Sequence, residues 1–147
     1  MVNQTTAYDK DFYAWALYNA ELMRQGKFAQ VDILHVAEEL ESMGKSERRE
    51  LINRFAVLLA HLLKWQYQPE RRSNSWKYTI KEQRFEVEEL LNDSPSLNHE
   101  LDEQFAYAYK KALLIAIQEI GLNTDTFPEK CPFSPQQAVA TDFFPEK

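Results

Sequence analysis

The chain has 147 residues, of which 44% are hydrophobic, so it is long enough to bury the core of one ordinary domain. Its 17 basic and 23 acidic residues give a net charge of −6, which disfavours non-specific attraction to nucleic acid or to an anionic membrane. No apolar run approaches the roughly 20 residues that span a bilayer, so no membrane span is expected.

Cysteine usage and the amino terminus bear on the cellular compartment. Cys131 is the only cysteine, so no disulfide can form within the chain. The sequence 1–12 lacks the basic, apolar and small-residue regions of a secretory signal. We therefore expect a cytoplasmic protein.

Two amphipathic helices are expected first. One lies over about 10–25, capped by Asp9 or Asp11, and a short one lies over about 32–43. A glycine directly follows each segment, where a left-handed residue can end a helix. Each helix buries one face, formed by Phe12, Trp15, Ala16, Asn19, Leu22 and Met23 in the first and by Ile33, Val36, Ala37, Leu40 and Met43 in the second.

A third helix carries the broadest apolar stripe of the sequence. Ser46 is its expected cap, and it extends to about residue 66, shortly before Pro69 prevents continuation. Its stripe predicts that this helix is the centre of the core. The stripe consists of Leu51, Ile52, Phe55, Leu58, Leu59, Leu62 and Trp65.

Two further helices and a tail complete the chain. The fourth helix is expected over about 75–91 and the fifth over about 97–120, separated by Ser94-Pro95 and ended by Gly121. Within the fifth helix, the apolar run 112–117 is expected to be buried on most sides. The fourth helix packs inward through Trp76, Ile80, Val87, Leu90 and Leu91.

The tail is rich in proline and phenylalanine. Its aromatic residues predict an extended strap over the helical body, with Ser134-Pro135 starting a short helical turn; disorder is the alternative. The expected organisation is one all-α domain over 1–147, with a five-helix, bundle-like body over about 9–121 and a strap over about 122–147. The proposed anchors of the strap are Phe127, Phe133, Phe143 and Phe144.

Arg54 and His61 on the third helix form a candidate catalytic pair. Their spacing of seven residues places them about 20° apart around the helix axis, on the same edge of the stripe. An arginine can hold a phosphate while a histidine acts as general acid or base, and the pair resembles that of metal-independent RNases of the HEPN group. We favour the alternative, a structural histidine bonded to a carboxylate of a neighbouring helix.

Glu38, Glu41 and His61 are candidate metal ligands. Carboxylate and imidazole groups can join around an ion in a helical bundle. The glutamates, however, spread around the second helix, and the paired Glu-x-x-His motifs of di-iron bundles are absent. The favoured interpretation is a solvated acidic face, with Glu41 one turn from Lys45.

The segment 64–84 combines basic and aromatic residues. Such a composition can grip a phosphate backbone and stack bases. The favoured alternative is internal, with the basic groups paired to glutamates of the second helix and Trp65 and Trp76 packed inward. The candidate binding residues are Lys64, Arg71, Arg72, Trp76, Lys77 and Arg84.

Tyr78 and Phe85 lie opposite the apolar stripe of the fourth helix. They are two turns apart and about 20° apart around the axis. Exposed aromatic residues in this arrangement mark contact with another surface, which is either the strap or a partner subunit.

Ordered motifs extend over nearly the whole chain. They are Tyr8-Asp9-x-Asp11-Phe12-x-x-Trp15, Glu38-Glu39-Leu40-Glu41-Ser42-Met43-Gly44, His61-Leu62-Leu63-Lys64-Trp65-Gln66-Tyr67-Gln68-Pro69, Arg72-Ser73-x-Ser75-Trp76 and Ser94-Pro95-Ser96-Leu97. Together they resemble domain-of-unknown-function family 29, a bacterial family that is abundant in cyanobacteria. The resemblance implies a helical fold and brings no activity, cofactor or catalytic residue.

These observations favour a non-catalytic helical binding or adaptor module without a cofactor. It would act through contacts with a protein partner or through self-association. The alternative is an RNA-directed enzyme or nucleic-acid binder, in which Arg54 and His61 act on RNA while the segment 64–84 holds the backbone.

Overall fold

The computed structural model describes residues 4–146, with side chains from residue 7, and all regular elements among them are helical. The predicted all-α class is therefore confirmed. No helix of this part of the chain is both long enough and apolar enough to cross a membrane. The α-helices are α1 Gln4–Lys10, α2 Phe12–Arg24, α3 Ile33–Tyr67, α4 Asn74–Asp93, α5 Leu101–Ile120 and α6 Pro135–Val139, with 3-10 turns at Phe28–Gln30, Pro69–Arg71, Pro95–Glu100 and Thr124–Thr126.

The chain forms two compact units, Met1–Lys45 and Ser46–Lys147, and α3 contributes residues to both. The expectation of a single domain over 1–147 stays a prediction.

In the amino-terminal unit, Asp11 caps α2 by accepting a hydrogen bond from the Ala14 N–H at 3.1 Å. This confirms Asp11 as a cap, and α1 is an additional helix before it. The buried residues of α2 are Trp15, Asn19 and Leu22, whereas Phe12 and Met23 of the expected buried face are exposed.

The predicted break between the second and third helices is wrong, because α3 continues through Gly44. Gly44 does not adopt a positive φ, unlike Gly26 and Gly121. A glycine inside a helix costs only about 1 kcal/mol relative to alanine. The charged residues on both sides of Gly44 are good helix formers, so they sustain the helix, and Ser46 lies in its interior instead of capping it.

The first part of α3 exposes the apolar face that was expected to be buried. Ile33, Leu40 and Met43 are each more than 60% exposed, and Val36 of the same face is half-buried. These four residues, called the α3 stripe below, follow one another at intervals of three, four and three residues. That spacing places them on one side of the helix.

The second part of α3 is the centre of the core in the carboxy-terminal unit, as predicted. Phe55 is fully buried and meets Phe105 of α5 edge to face, with ring centres 5.3 Å apart. The expected burial of 112–117 is only partly right, because Leu114 is 70% exposed. The fully buried large residues of α3 are Leu51, Phe55, Leu58, Leu59, Leu62 and Leu63, and they cluster with Ile80 and Val87 of α4 and with Ala108, Ala112 and Ala116 of α5.

In this unit, a capping serine starts α4 and a glycine ends α5. The Ser73 side chain caps α4 by accepting a hydrogen bond from the Trp76 N–H at 3.2 Å. Gly121 ends α5 in the left-handed conformation, at a φ of 69°. The expected start of the fifth helix is early, because the turn Pro95–Glu100 is a 3-10 helix and α5 begins at Leu101.

The predicted strap is present as an ordered segment beyond Gly121. Phe127 and Phe133 are buried in the core of the carboxy-terminal unit, and Phe144 packs on Trp65 with ring centres 5.0 Å apart. Ser134 starts α6 with a capping box, in which it and Gln137 exchange hydrogen bonds. Aromatic anchors therefore hold the strap on the helices, as the sequence predicts.

Candidate functional site

The candidate catalytic pair lies on α3, and each member has a partner within that helix. The Nδ1 of His61 donates to the Val57 carbonyl oxygen at 2.9 Å, which leaves a lone pair on Nε2. Burial lowers the pKa of His61, which favours the neutral ring at pH 7. Arg54 lies 3.7 Å from the Glu50 carboxylate, one turn earlier. The hydrogen-bond partner of His61 is thus a main-chain carbonyl, and not the carboxylate of a neighbouring helix that was expected for a structural histidine.

The candidate metal ligands belong to different units. Glu38 and Glu41 are exposed residues of the amino-terminal unit, whereas half-buried His61 belongs to the carboxy-terminal unit. Among the residues that the structure describes, no three His, Cys, Asp or Glu side chains are grouped so that they could hold a metal ion.

The basic residues of segment 64–84 make mainly internal contacts. Lys64 is buried, forms an ion pair with Glu119 of α5 and lies over the Trp76 ring at 4.9 Å from its centre. Arg72 donates from Nε to the Trp65 carbonyl at 2.7 Å. The acidic partner of Lys64 therefore comes from α5, not from the glutamates expected on the second helix. Arg71 is exposed on the turn Pro69–Arg71.

Arg84 is the most buried arginine of this segment, at 4% exposure. Its guanidinium donates hydrogen bonds to three carbonyl oxygens of the strap: from Nε to Ala138 at 2.8 Å, from Nη1 to Thr141 at 3.3 Å and from Nη2 to Phe143. Burial lowers the pKa of Arg84, and the charge of Asp142 opposes that shift. Arg84 thus attaches the last part of the strap to α4.

A cavity of about 390 Å³ lies between α4 and the strap. Lys77, Lys81 and Arg84 contribute three cations from one side of α4, since these residues are three to four positions apart. Both α4 and the strap contribute apolar residues to the lining of the cavity, and Glu88 and Thr141 contribute a smaller polar part of the lining. The apolar lining residues are Phe85, Val139 and Phe144.

The two exposed aromatic residues of α4 are not covered by the strap. Tyr78 is 68% exposed and Phe85 is 65% exposed, although Phe85 contributes one wall to the cavity. The described part of the strap therefore leaves both rings largely exposed.

The amino-terminal unit contains a polar cluster that was not among the sites predicted from the sequence. Asp32 lies directly before α3 and accepts hydrogen bonds from Trp15 Nε1 at 2.9 Å and from His35 Nδ1 at 2.7 Å. Burial alone would raise the pKa of Asp32, but the hydrogen bonds from His35 and Trp15 hold it below its ordinary value. The Asp32 N–H donates in turn to Asn19 Oδ1 at 2.8 Å.

Tyr8 completes this cluster. Its ring stacks on His35, with ring centres 4.0 Å apart, and its hydroxyl donates to the Glu39 carboxylate. That hydrogen bond raises the pKa of Tyr8 to about 12. Tyr8, Trp15 and Glu39 come from the first two ordered motifs, so these motifs meet in one cluster that joins α1, α2 and α3.

Cys131 lies in the strap close to Tyr109, whose hydroxyl donates to the Pro128 carbonyl at 2.6 Å. Burial raises the pKa of the Cys131 thiol to about 11 from an ordinary value of 9.0. At pH 8 we therefore expect alkylation by iodoacetamide to be about 100-fold slower in the folded protein than in urea, because a tenfold loss of thiolate accompanies each pKa unit. Mass spectrometry of timed samples measures both rates, and equal rates would contradict the burial of the thiol.

Large apolar side chains are exposed throughout the amino-terminal unit. Leu34 reaches 84% exposure and Tyr13 reaches 73%. Single exposed apolar residues are ordinary, whereas a contiguous exposed apolar patch marks an interaction site. The set consists of Phe12, Tyr13, Leu17, Tyr18, Met23, Phe28, Ile33, Leu34, Leu40 and Met43.

Comparison with known proteins gives one match. The family model described as Domain of unknown function DUF29 matches residues 7–144, which confirms the family resemblance. No curated protein and no solved structure matches the chain. The match includes both the cluster around Tyr8 and the cavity between α4 and the strap.

Proposed function

We propose that this chain, which belongs to the DUF29 family, is a non-catalytic helical binding module that acts through protein contacts, including self-association. The observation that carries the proposal is the exposed α3 stripe, defined by Ile33, Val36, Leu40 and Met43. The proposed location is the cytoplasm, in keeping with a single cysteine.

The spacing of the α3 stripe supports a helical partner. Intervals of three and four residues are those of the contact positions in a coiled coil, where each side chain inserts between residues of the facing helix. A second copy of the chain presents the same stripe, so two copies related by a two-fold axis match one another.

The introduction of two negative charges into the stripe tests this proposal. We expect wild-type protein to dimerise in size-exclusion chromatography with light scattering, and the double variant Leu40→Glu, Met43→Glu to be monomeric with unchanged helix content. Two charges in an apolar seam lose their hydration without finding a partner, which disfavours association.

Leu114→Glu is the control, since Leu114 is 70% exposed but belongs to α5 and not to the stripe. This control should dimerise like the wild type. A wild-type protein that stays monomeric up to its solubility limit contradicts self-association, as does a dimer that persists in the double variant.

The second candidate function is an RNA-directed enzyme or nucleic-acid binder. What supports it is the state of His61, whose lowered pKa and free Nε2 lone pair suit a general base at neutral pH. Arg54 lies two turns away and would hold the phosphate. RNA cleavage by the purified protein that disappears in His61→Ala, with helix content retained, would favour this function over the first.

A further inference from the structure

The cavity between α4 and the strap combines positive charge with apolar walls. Lys77, Lys81 and Arg84 line it together, and none of the ion pairs among residues 7–146 includes any of these three cations. Phe85 and Phe144 contribute aromatic walls. From this we infer that the cavity is a binding site for a small amphipathic carboxylate, held by its charged group on the lysines and by its apolar body against the walls.

The uncompensated charge is the first argument for an anion. Arg84 is buried at 4% exposure, and its three hydrogen bonds go to neutral carbonyl groups of the strap. A buried cation without an ionised partner is unfavourable, so an anion that enters the cavity gains a stronger interaction than it would at the surface. The exposed carboxylate of Asp142 acts on Arg84 only at longer range.

The balance of charge favours a monoanion. Three cations line the cavity, while Glu88 lies in its lining and Asp142 lies near Arg84. One net positive charge is left, which a single carboxylate neutralises. Lys77 and Lys81 can donate to it directly, since they are one turn apart on α4 and the donors of Arg84 already serve the strap.

The size and lining of the cavity favour an amphipathic body. Ligand cavities of about 300–1,000 Å³ with mainly apolar walls and a few polar groups bind organic molecules of moderate size. This cavity, at about 390 Å³, lies near the lower limit. Its walls, Phe85, Val139 and Phe144, offer a carbon chain or ring more contact than they offer a bare inorganic anion.

Decanoate below its micelle-forming concentration is a suitable probe. We expect saturable binding to the full chain in isothermal titration calorimetry, and no comparable binding of decyltrimethylammonium, which has the same chain length and the opposite charge. The amides of Ala138–Phe144 should exchange their hydrogens more slowly with decanoate bound, because the ligand stabilises the strap against opening. This site is independent of the self-association proposed above.

The double variant Lys77→Gln, Lys81→Gln removes the two ammonium charges without adding bulk. We expect its dissociation constant for decanoate to rise about tenfold or more, because charge-assisted hydrogen bonds are lost. Lys110→Gln, Lys130→Gln is the matched control, with the same change of charge at exposed positions outside the cavity, and should bind like the wild type.

Three results would overturn the inference. The first is that decanoate does not bind to wild-type protein, and the second is that decyltrimethylammonium binds as tightly as decanoate. The third is an equal loss of decanoate binding in both double variants, since that would show a general effect of net charge instead of a site at Lys77 and Lys81.

Discussion

Replacing Phe55 by alanine is expected to lower the free energy of unfolding by about 3–5 kcal/mol. Phe55 is fully buried in the core of the carboxy-terminal unit and meets Phe105 edge to face, so its removal leaves a cavity and breaks an aromatic contact. Urea denaturation followed by circular dichroism and tryptophan fluorescence measures the change.

Leu114→Ala is the control for this substitution. Leu114 is 70% exposed on α5, so its truncation should change the free energy of unfolding by no more than about 0.5 kcal/mol. A loss below about 1 kcal/mol in Phe55→Ala would mean that α3 is not the centre of the core.

Replacing Arg84 by alanine is expected to cost about 3–5 kcal/mol of unfolding free energy. The substitution leaves the carbonyl groups of Ala138, Thr141 and Phe143 without their donor and removes the attachment of the strap to α4. Hydrogen exchange should become faster at the amides of α6, while amides in the middle of α3 keep their protection if the helices stay folded.

Two other variants separate geometry from charge in this attachment. Arg84→Lys keeps the charge but has a single ammonium group in place of the planar guanidinium with its several N–H donors. It should therefore lose less stability than Arg84→Ala but should not reach the stability of the wild type. Lys81→Ala, one turn away and exposed, should stay within about 0.5 kcal/mol of the wild type. If Arg84→Ala unfolds like Lys81→Ala, the carbonyl contacts do not stabilise the strap.

Apolar periodicity was sufficient to predict the helices of the carboxy-terminal unit. The stripe from Leu51 to Trp65 identified the central helix because a broad apolar face has to be covered by other helices. Proline and glycine marked the ends of α4 and α5 correctly to within a few residues, since these residues restrict or release the backbone. The strap was predictable from its spaced phenylalanines, because these large apolar side chains also have to be covered by the helices.

Periodicity was not sufficient at Gly44 and at the α3 stripe. Glycine tolerates helical and left-handed backbone alike, so the residue alone does not decide whether a helix ends. The α3 stripe was predicted to be buried because Ile33, Leu40 and Met43 are apolar. A sequence pattern does not show whether the residues that cover such a stripe belong to the same chain or to a partner.

Arg84 was named as a candidate binding residue, but its contacts and the cluster around Tyr8 could not be predicted from the sequence, for a different reason. Arg84 is one of several basic residues in the segment 64–84, and only the fold brings the carbonyl groups of 138–143 to its guanidinium. The cluster of Asp32, His35 and Tyr8 likewise depends on how three helices meet. Contacts between distant positions leave little signal in a single sequence. The ordered motifs 8–15 and 38–44, which contain Tyr8 and Glu39, indicated the two segments but not the contact between them.

The attachment of Arg84 has a consequence for how the protein is made. Helices α3, α4 and α5 leave the ribosome before the carbonyl groups at positions 138–143, which lie 54 or more residues after Arg84. Until those groups emerge, the nascent chain holds a hydrated arginine beside an uncovered apolar surface. The attachment of the strap to α4 therefore forms only after residues 138–143 have been translated, and a chaperone that shields α4 until then would act on a state that the folded unit no longer displays.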